Sequence, residues 1–115
     1  MTLNDLGNAL KAIQVNDKPL KFASYGWASA PSGSYGVYSQ YGSDQFEANN
    51  RYGESLIRAD VDWYTRTDDE VEKDAIEACF KELQDANAFA WYLNTVQYED
   101  DTGFIHYEWN VEMIR

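Results

Sequence analysis

The sequence predicts an α+β domain: an α/β sandwich with a mainly antiparallel sheet and two helices packed on one of its faces, in the order αβββαββ. Three observations carry this expectation. Two segments, at residues 2–13 and 68–86, place apolar side chains at helical spacing. The stretch from Ser55 to Arg66 alternates apolar and polar residues as a half-buried strand does. The C-terminal third alternates again on both sides of Glu99-Asp100-Asp101-Thr102-Gly103, which is turn chemistry with Gly103 able to take positive φ.

Thr2 to Ile13 carries Leu3, Leu6, Leu10 and Ile13 on one helical face, and Thr2 with Asp5 has the form of a capping box. Asn16-Asp17-Lys18-Pro19 stops this helix, because Pro19 cannot continue it and biases Lys18 toward extended geometry. Leu20 to Tyr25 reads as a short strand. In Ser55 to Arg66, the best central strand, Ile57, Ala59, Val61 and Trp63 point to the core, and Arg58, Asp60, Asp62 and Tyr64 point away. Thr67-Asp68-Asp69-Glu70 reads as a second capping box opening a helix to about Ala86. Its stripe is Val71, Ala75, Cys79 and Leu83, widened by Ile76 and Phe80. In the closing hairpin, Ile105, Tyr107, Trp109, Val111 and Met113 face one way, and His106, Glu108, Asn110 and Glu112 the other. Trp63, Trp109, Val61, Val111, Leu83 and Ile76 are expected to be buried together.

The segment from Gly26 to Gly53 differs. It is rich in Gly, Ser, Asn and Tyr and nearly devoid of aliphatic residues, so it is expected to be an exposed loop or hairpin at about 26–53 of a single 1–115 domain. Within it, Tyr35, Val37, Ser39 and Tyr41 alternate with Gly36, Tyr38 and Gln40, the pattern of a strand or hairpin arm. Aromatics in such a context suit a contact surface for another protein. Tyr35, Tyr38, Tyr41, Phe46 and Tyr52 are the interface candidates, against the alternative that they cover the open sheet face of the monomer.

Charge narrows the partners. With 20 Asp plus Glu against 9 Lys plus Arg, the net charge is −11. A basic patch for phosphate is hard to build on that balance, and attraction to an anionic membrane is disfavoured. No stretch approaches the roughly 18 apolar residues of a membrane span, and MTLNDLGNALKAI lacks the basic start and long apolar run of a signal peptide. The chain is expected in the cytoplasm where it is made. Cys79 is its sole cysteine, so no intrachain disulfide is available.

Catalytic chemistry finds no constellation. His106 is the sole histidine, on the polar face of its strand, and is expected to be a surface residue. Cys79 lies in a helical apolar stripe and reads as a small buried hydrophobe. SGSYGVYSQYG opens no helix and is followed by no Lys-Ser/Thr, so it is no phosphate loop. Asp60, Asp62, Glu108 and Glu112 would share the outer sheet face. They read either as a solvated acidic wall or as a carboxylate cluster for a divalent cation or acid–base work. No enzymatic activity, catalytic residue, cofactor or resident metal is expected.

Three features in one order carry a resemblance: the strand Ile57-Arg58-Ala59-Asp60-Val61-Asp62-Trp63-Tyr64-Thr65-Arg66, the helix from Asp68 to Ala86, and the hairpin from Tyr98 to Trp109. Together with the short N-terminal helix, this arrangement resembles the tail terminator and tail completion proteins of long-tailed phages and prophages. The resemblance covers most of the chain through loose patterns. It implies a structural virion protein that forms a ring, often a hexamer, which caps the tail tube and joins it to the head. The implied partners are other copies of the chain, the tail tube protein and the head–tail connector proteins. The implied location is the host cytoplasm during assembly and then the tail or neck of the virion. DNA would pass through the lumen without being bound, so Asp60, Asp62, Glu108 and Glu112 become candidates for an acidic lumen or surface. An alternative of another class is a small acidic phage-encoded inhibitor that mimics DNA toward a host nuclease or defence protein. Asp68, Asp69, Glu72, Glu82 and Asp85 would be its phosphate mimics.

Overall fold

The structure is a computed structural model that describes residues 1–45, 55–87 and 89–114. Helix α1 (Leu3–Lys11) opens on the expected capping box: the Asp5 N–H donates to Thr2 Oγ1 at 3.2 Å and the Thr2 N–H to Asp5 Oδ2 at 2.8 Å. Beyond it, strands β1 (Gln14–Val15) and β2 (Lys18–Pro19) pair in a small hairpin. Its two turn residues, Asn16 and Asp17, both have positive φ (55° and 63°), the geometry of a type I′ turn. The helix-stop signal is therefore also a hairpin turn.

Five strands form the main sheet, in the order β3-β4-β5-β7-β6: β3 (Phe22–Ser24), β4 (Tyr35–Gln45), β5 (Ser55–Thr65), β6 (Phe89–Glu99) and β7 (Phe104–Ile114). Every pairing is antiparallel except β3 with β4. Counting the main sheet, the order is the expected αβββαββ, and β5 sits at the centre. Its predicted parity holds, since Ile57, Ala59, Val61 and Trp63 are buried under the helices with Trp109, Val111 and Met113 of β7.

The segment expected to be an exposed loop or hairpin contributes a full strand, β4, to this sheet, along the stretch whose alternation reads as a hairpin arm. Glycine and tyrosine complement each other here where aliphatic side chains do so elsewhere. Tyr38 lays its ring against Gly7 of α1, where any Cβ would strike it, and Gly36 gives the same room to Phe22. A polar-looking sequence thereby fills volume with rings and leaves space with hydrogens.

Helix α2 (Val71–Ala86) departs from expectation at its start. Thr67 does not cap it. The N-cap is Glu70 in left-handed geometry (φ 60°), and Asp69 Oδ1 accepts from the Val71 N–H at 3.1 Å. The Thr67 hydroxyl is instead 3.0 Å from that of Thr65, a buried side chain that needs polar partners and also bonds Ser34 and Glu72.

The buried stripe of α2 is rotated as well. Ile76 and Phe80 are fully buried, Val71 is exposed, and Leu83, expected in the centre of the core, packs at its edge. Two glutamates take the place of apolar residues because the sheet presents two indoles. Trp63 Nε1 donates to Glu72 Oε1 at 3.3 Å, and Trp109 Nε1 donates to Glu77 Oε2 at 2.9 Å. A buried indole N–H needs an acceptor, and the helix supplies one for each. Cys79, expected to be buried, is only partly so, with its Sγ 3.9 Å from the Ala9 carbonyl. Burial, with a smaller contribution from Glu82, pushes its thiol up to about 11, which keeps it unreactive near neutrality.

Candidate functional site

The two helices of the described residues pack on the core face, and among those residues no helix covers the other face of the sheet. Strand pairing arranges it in rows. Tyr35, Tyr64, His106 and Gln97 form one row across β4, β5, β7 and β6. The next two are Val37, Asp62, Glu108 and Thr95, then Ser39, Asp60 and Asn110 with Tyr92. Arg58 lies opposite Glu112 and completes the pattern, with Arg58 Nε 3.6 Å from Glu112 Oε1.

Asp60, Asp62, Glu108 and Glu112 therefore share one face, as the alternation of β5 and β7 implied. Asp62 and Glu108 are direct cross-strand neighbours, an arrangement that is repulsive unless other groups compensate. The compensation is specific. His106 Nε2 sits 2.7 Å from Asp62 Oδ1, its Nδ1 lies 3.6 Å from Glu99 Oε2, and Asn94 Nδ2 donates to Glu108 Oε2 at 3.0 Å. Asp60 accepts from Asn110. Burial, then the charge of Glu108, raises the Asp60 carboxyl above its ordinary range; the Asn110 bond opposes this and Asp62 adds to it.

His106 is not the solvated surface residue that its strand parity implied. Its side chain is only 14% exposed. The ring stacks on Tyr64 at 4.2 Å, and Tyr64 in turn stacks on Tyr35 at 5.0 Å. Phe104 stands edge-on to both tyrosines, and the Arg66 guanidinium lies 3.9 Å over its ring. These aromatics cover one end of the open face and shield the imidazole. Burial pulls the His106 pKa down, but the hydrogen bond and charge of Asp62, with Glu99 and Glu108, outweigh it and the net shift is upward. A raised folded-state value stabilises the fold fully below the ordinary 6.5, and that stability is lost as pH rises through the folded value. Melting curves in metal-free buffer are expected to show this decline above pH 6.5, and His106→Gln to flatten it. An equal slope in both proteins would mean that the imidazole is not coupled to folding.

The tyrosine candidates do not form one patch. Tyr38 is 4% exposed and belongs to the core, so it has no surface to offer a partner. Tyr35 is half-buried in the aromatic cluster. Tyr41, the extra residue of a bulge between Gln40 and Gly42, is 54% exposed beside Asp60 and Arg58. Phe46 and Tyr52 lie outside the described residues. Sequence reasoning missed a different exposed set on edge strand β6, where Tyr92, Val96 and Tyr98 are 58%, 53% and 66% exposed. The signal was present in the apolar character of both faces of that arm, which one helix cannot cover.

A cleft of about 300 Å³ opens beside Trp63, between Lys18, Lys21 and Glu72. Glu72 Oε1 already accepts from Trp63 and Thr65, which ties it to structure. The fold and this geometry define an α+β domain with one helix-covered face and one open acidic face. Neither a scan against protein-family models nor a search of curated proteins finds a match for the chain.

Proposed function

We propose that this chain is a structural phage tail protein, a terminator or completion protein that forms a homo-oligomeric ring, caps the tail tube and joins it to the head. It acts through protein contacts with its own copies, the tube protein and the connector, not as an enzyme. The observation that carries the reading is the gathering of Asp60, Asp62, Glu108 and Glu112 on one helix-free sheet face. A wall of that charge repels DNA passing it, which suits a lumen. The fold order αβββαββ agrees with the resemblance noted in the sequence. In the segment first expected to make subunit contacts, Tyr41 is the described tyrosine whose ring remains most open to a neighbour.

The DNA-mimic reading gains less support. It asks the α2 carboxylates to face solvent as a row, yet Glu72 is bonded to Trp63 and Thr65. Native mass spectrometry and electron microscopy, on the chain alone and with tail tube protein, test the ring. Closed oligomers with a central opening are the expected result; a monomer under both conditions would sink the reading. A mobility-shift assay at low salt is expected to show no duplex retardation, although electrostatic binding is strongest there.

A further inference from the structure

Asp62, His106 and Glu108 place three potential ligand atoms within 4.8 Å of one another, and we propose that they form a binding site for a divalent first-row transition ion of the Zn²⁺ class. The inference does not rest on the ring reading, although it uses two of the same carboxylates, Asp62 and Glu108. Its basis is the way strands β5 and β7 pair. Asp62 lies directly opposite Glu108, and His106 lies two residues along on the same face. All three donors thus stand on rigid backbone at the middle of the sheet. Tetrahedral coordination with bonds of about 2.0–2.1 Å sets neighbouring ligand atoms roughly 3.3 Å apart. One pair here, His106 Nε2 and Asp62 Oδ1, is 2.7 Å apart, and the whole set spans no more than 4.8 Å. Small side-chain rotations bring these separations to the required value.

The surroundings are those of a metal site and not of a bare acidic cluster. A metal-bound imidazole characteristically directs its second nitrogen to a carboxylate; His106 Nδ1 lies 3.6 Å from Glu99 Oε2, an ion-pair separation that a small side-chain movement closes to a hydrogen bond. The ligating carboxylates of such sites are themselves held by hydrogen bonds, and Asn94 Nδ2 holds Glu108 at 3.0 Å. Tyr64 closes one side of the ring by stacking at 4.2 Å. The directly opposed charges of Asp62 and Glu108 supply an electrostatic reason for a cation between them. Imidazole among the donors selects a transition ion over Ca²⁺ or Mg²⁺, which take oxygen ligands. Three protein ligands leave a fourth position for water.

Because His106 is the sole histidine, the decisive test needs no variant. Zn²⁺ titrated into the wild-type chain is expected to shift the single imidazole Nε2 resonance and to saturate at one equivalent. Co²⁺ is expected to bind in its place with the visible absorption of a low-coordinate ion. Asp62→Asn and Glu108→Gln, confirmed as folded by circular dichroism, are each expected to weaken Zn²⁺ binding tenfold or more. Glu99→Gln is expected to weaken it by roughly 10–100-fold through the orienting contact, whereas Glu112→Gln, on the same face, leaves it unchanged. An imidazole resonance unmoved by excess Zn²⁺, or equal affinity in wild type and both ligand variants, overturns the site.

Discussion

Serine in place of Tyr38 is expected to destabilise the domain by about 3–5 kcal/mol, the range for removing a large buried aromatic, while serine in place of Tyr41 changes little. The contrast follows from their faces on one strand. Tyr38 is 4% exposed, lies against Gly7 of α1, and has the Lys11 ammonium 5.6 Å from its ring centre. Tyr41 stands on a bulge with 54% of its surface in solvent. Against a total of roughly 5–15 kcal/mol for a domain, losing the first ring leaves little margin. Chemical denaturation measures both variants. A Tyr38→Ser protein as stable as wild type would mean that α1 does not sit over β4.

A second large effect is expected at Trp109, which is fully buried beneath α2. Its ring meets Phe80 edge-on at 5.6 Å and stacks with Tyr107 at 5.9 Å, and its N–H is held by Glu77. Trp109→Ala is expected to cost about 3–5 kcal/mol through the cavity. Trp109→Phe isolates the polar part, since it keeps a ring but removes the donor from a half-buried carboxylate, and is expected to cost about 1–3 kcal/mol. Lys73 Nζ, 3.1 Å from Glu77 Oε1, limits that loss. Removing Glu77 as well, in a double-mutant cycle by urea denaturation, is expected to recover part of it. Additive losses would mean that the pair contributes nothing of its own.

The most legible elements were those with one buried and one open face. In β5 and β7 every second residue is apolar, so period-two alternation announced both the strands and their parity, and with them the acidic face. Strand β4 was illegible as core because its packing is written in pairs: Tyr38 needs Gly7, and Phe22 needs Gly36, which lies on another element. No local hydrophobicity records such a fit. The α2 stripe was misplaced by a few residues because the positions facing Trp63 and Trp109 hold glutamates, which a binary pattern assigns to solvent. His106 was read as a surface residue for a similar reason. Its surroundings depend on the register between β5 and β7, which sets Tyr64 opposite it and Asp62 opposite Glu108, and that register is not written in either strand alone.

The strand order also has a kinetic consequence. β4 with β5, and β6 with β7, are hairpins between segments adjacent in the chain, whereas β5 and β7 join across all of α2 and β6. Local pairs close at small entropic cost, and the distant pair must wait for them. Closing the β5–β7 seam is then the step expected to limit folding. Substitutions at Val61 or Val111, which lie opposite Trp109 and Ala59 respectively across the seam, would act chiefly on the folding rate. Asp62 lies on one half, and His106 and Glu108 on the other. An ion held by all three recognises only the joined chain, and it clasps the halves at the boundary where connectivity offers no help.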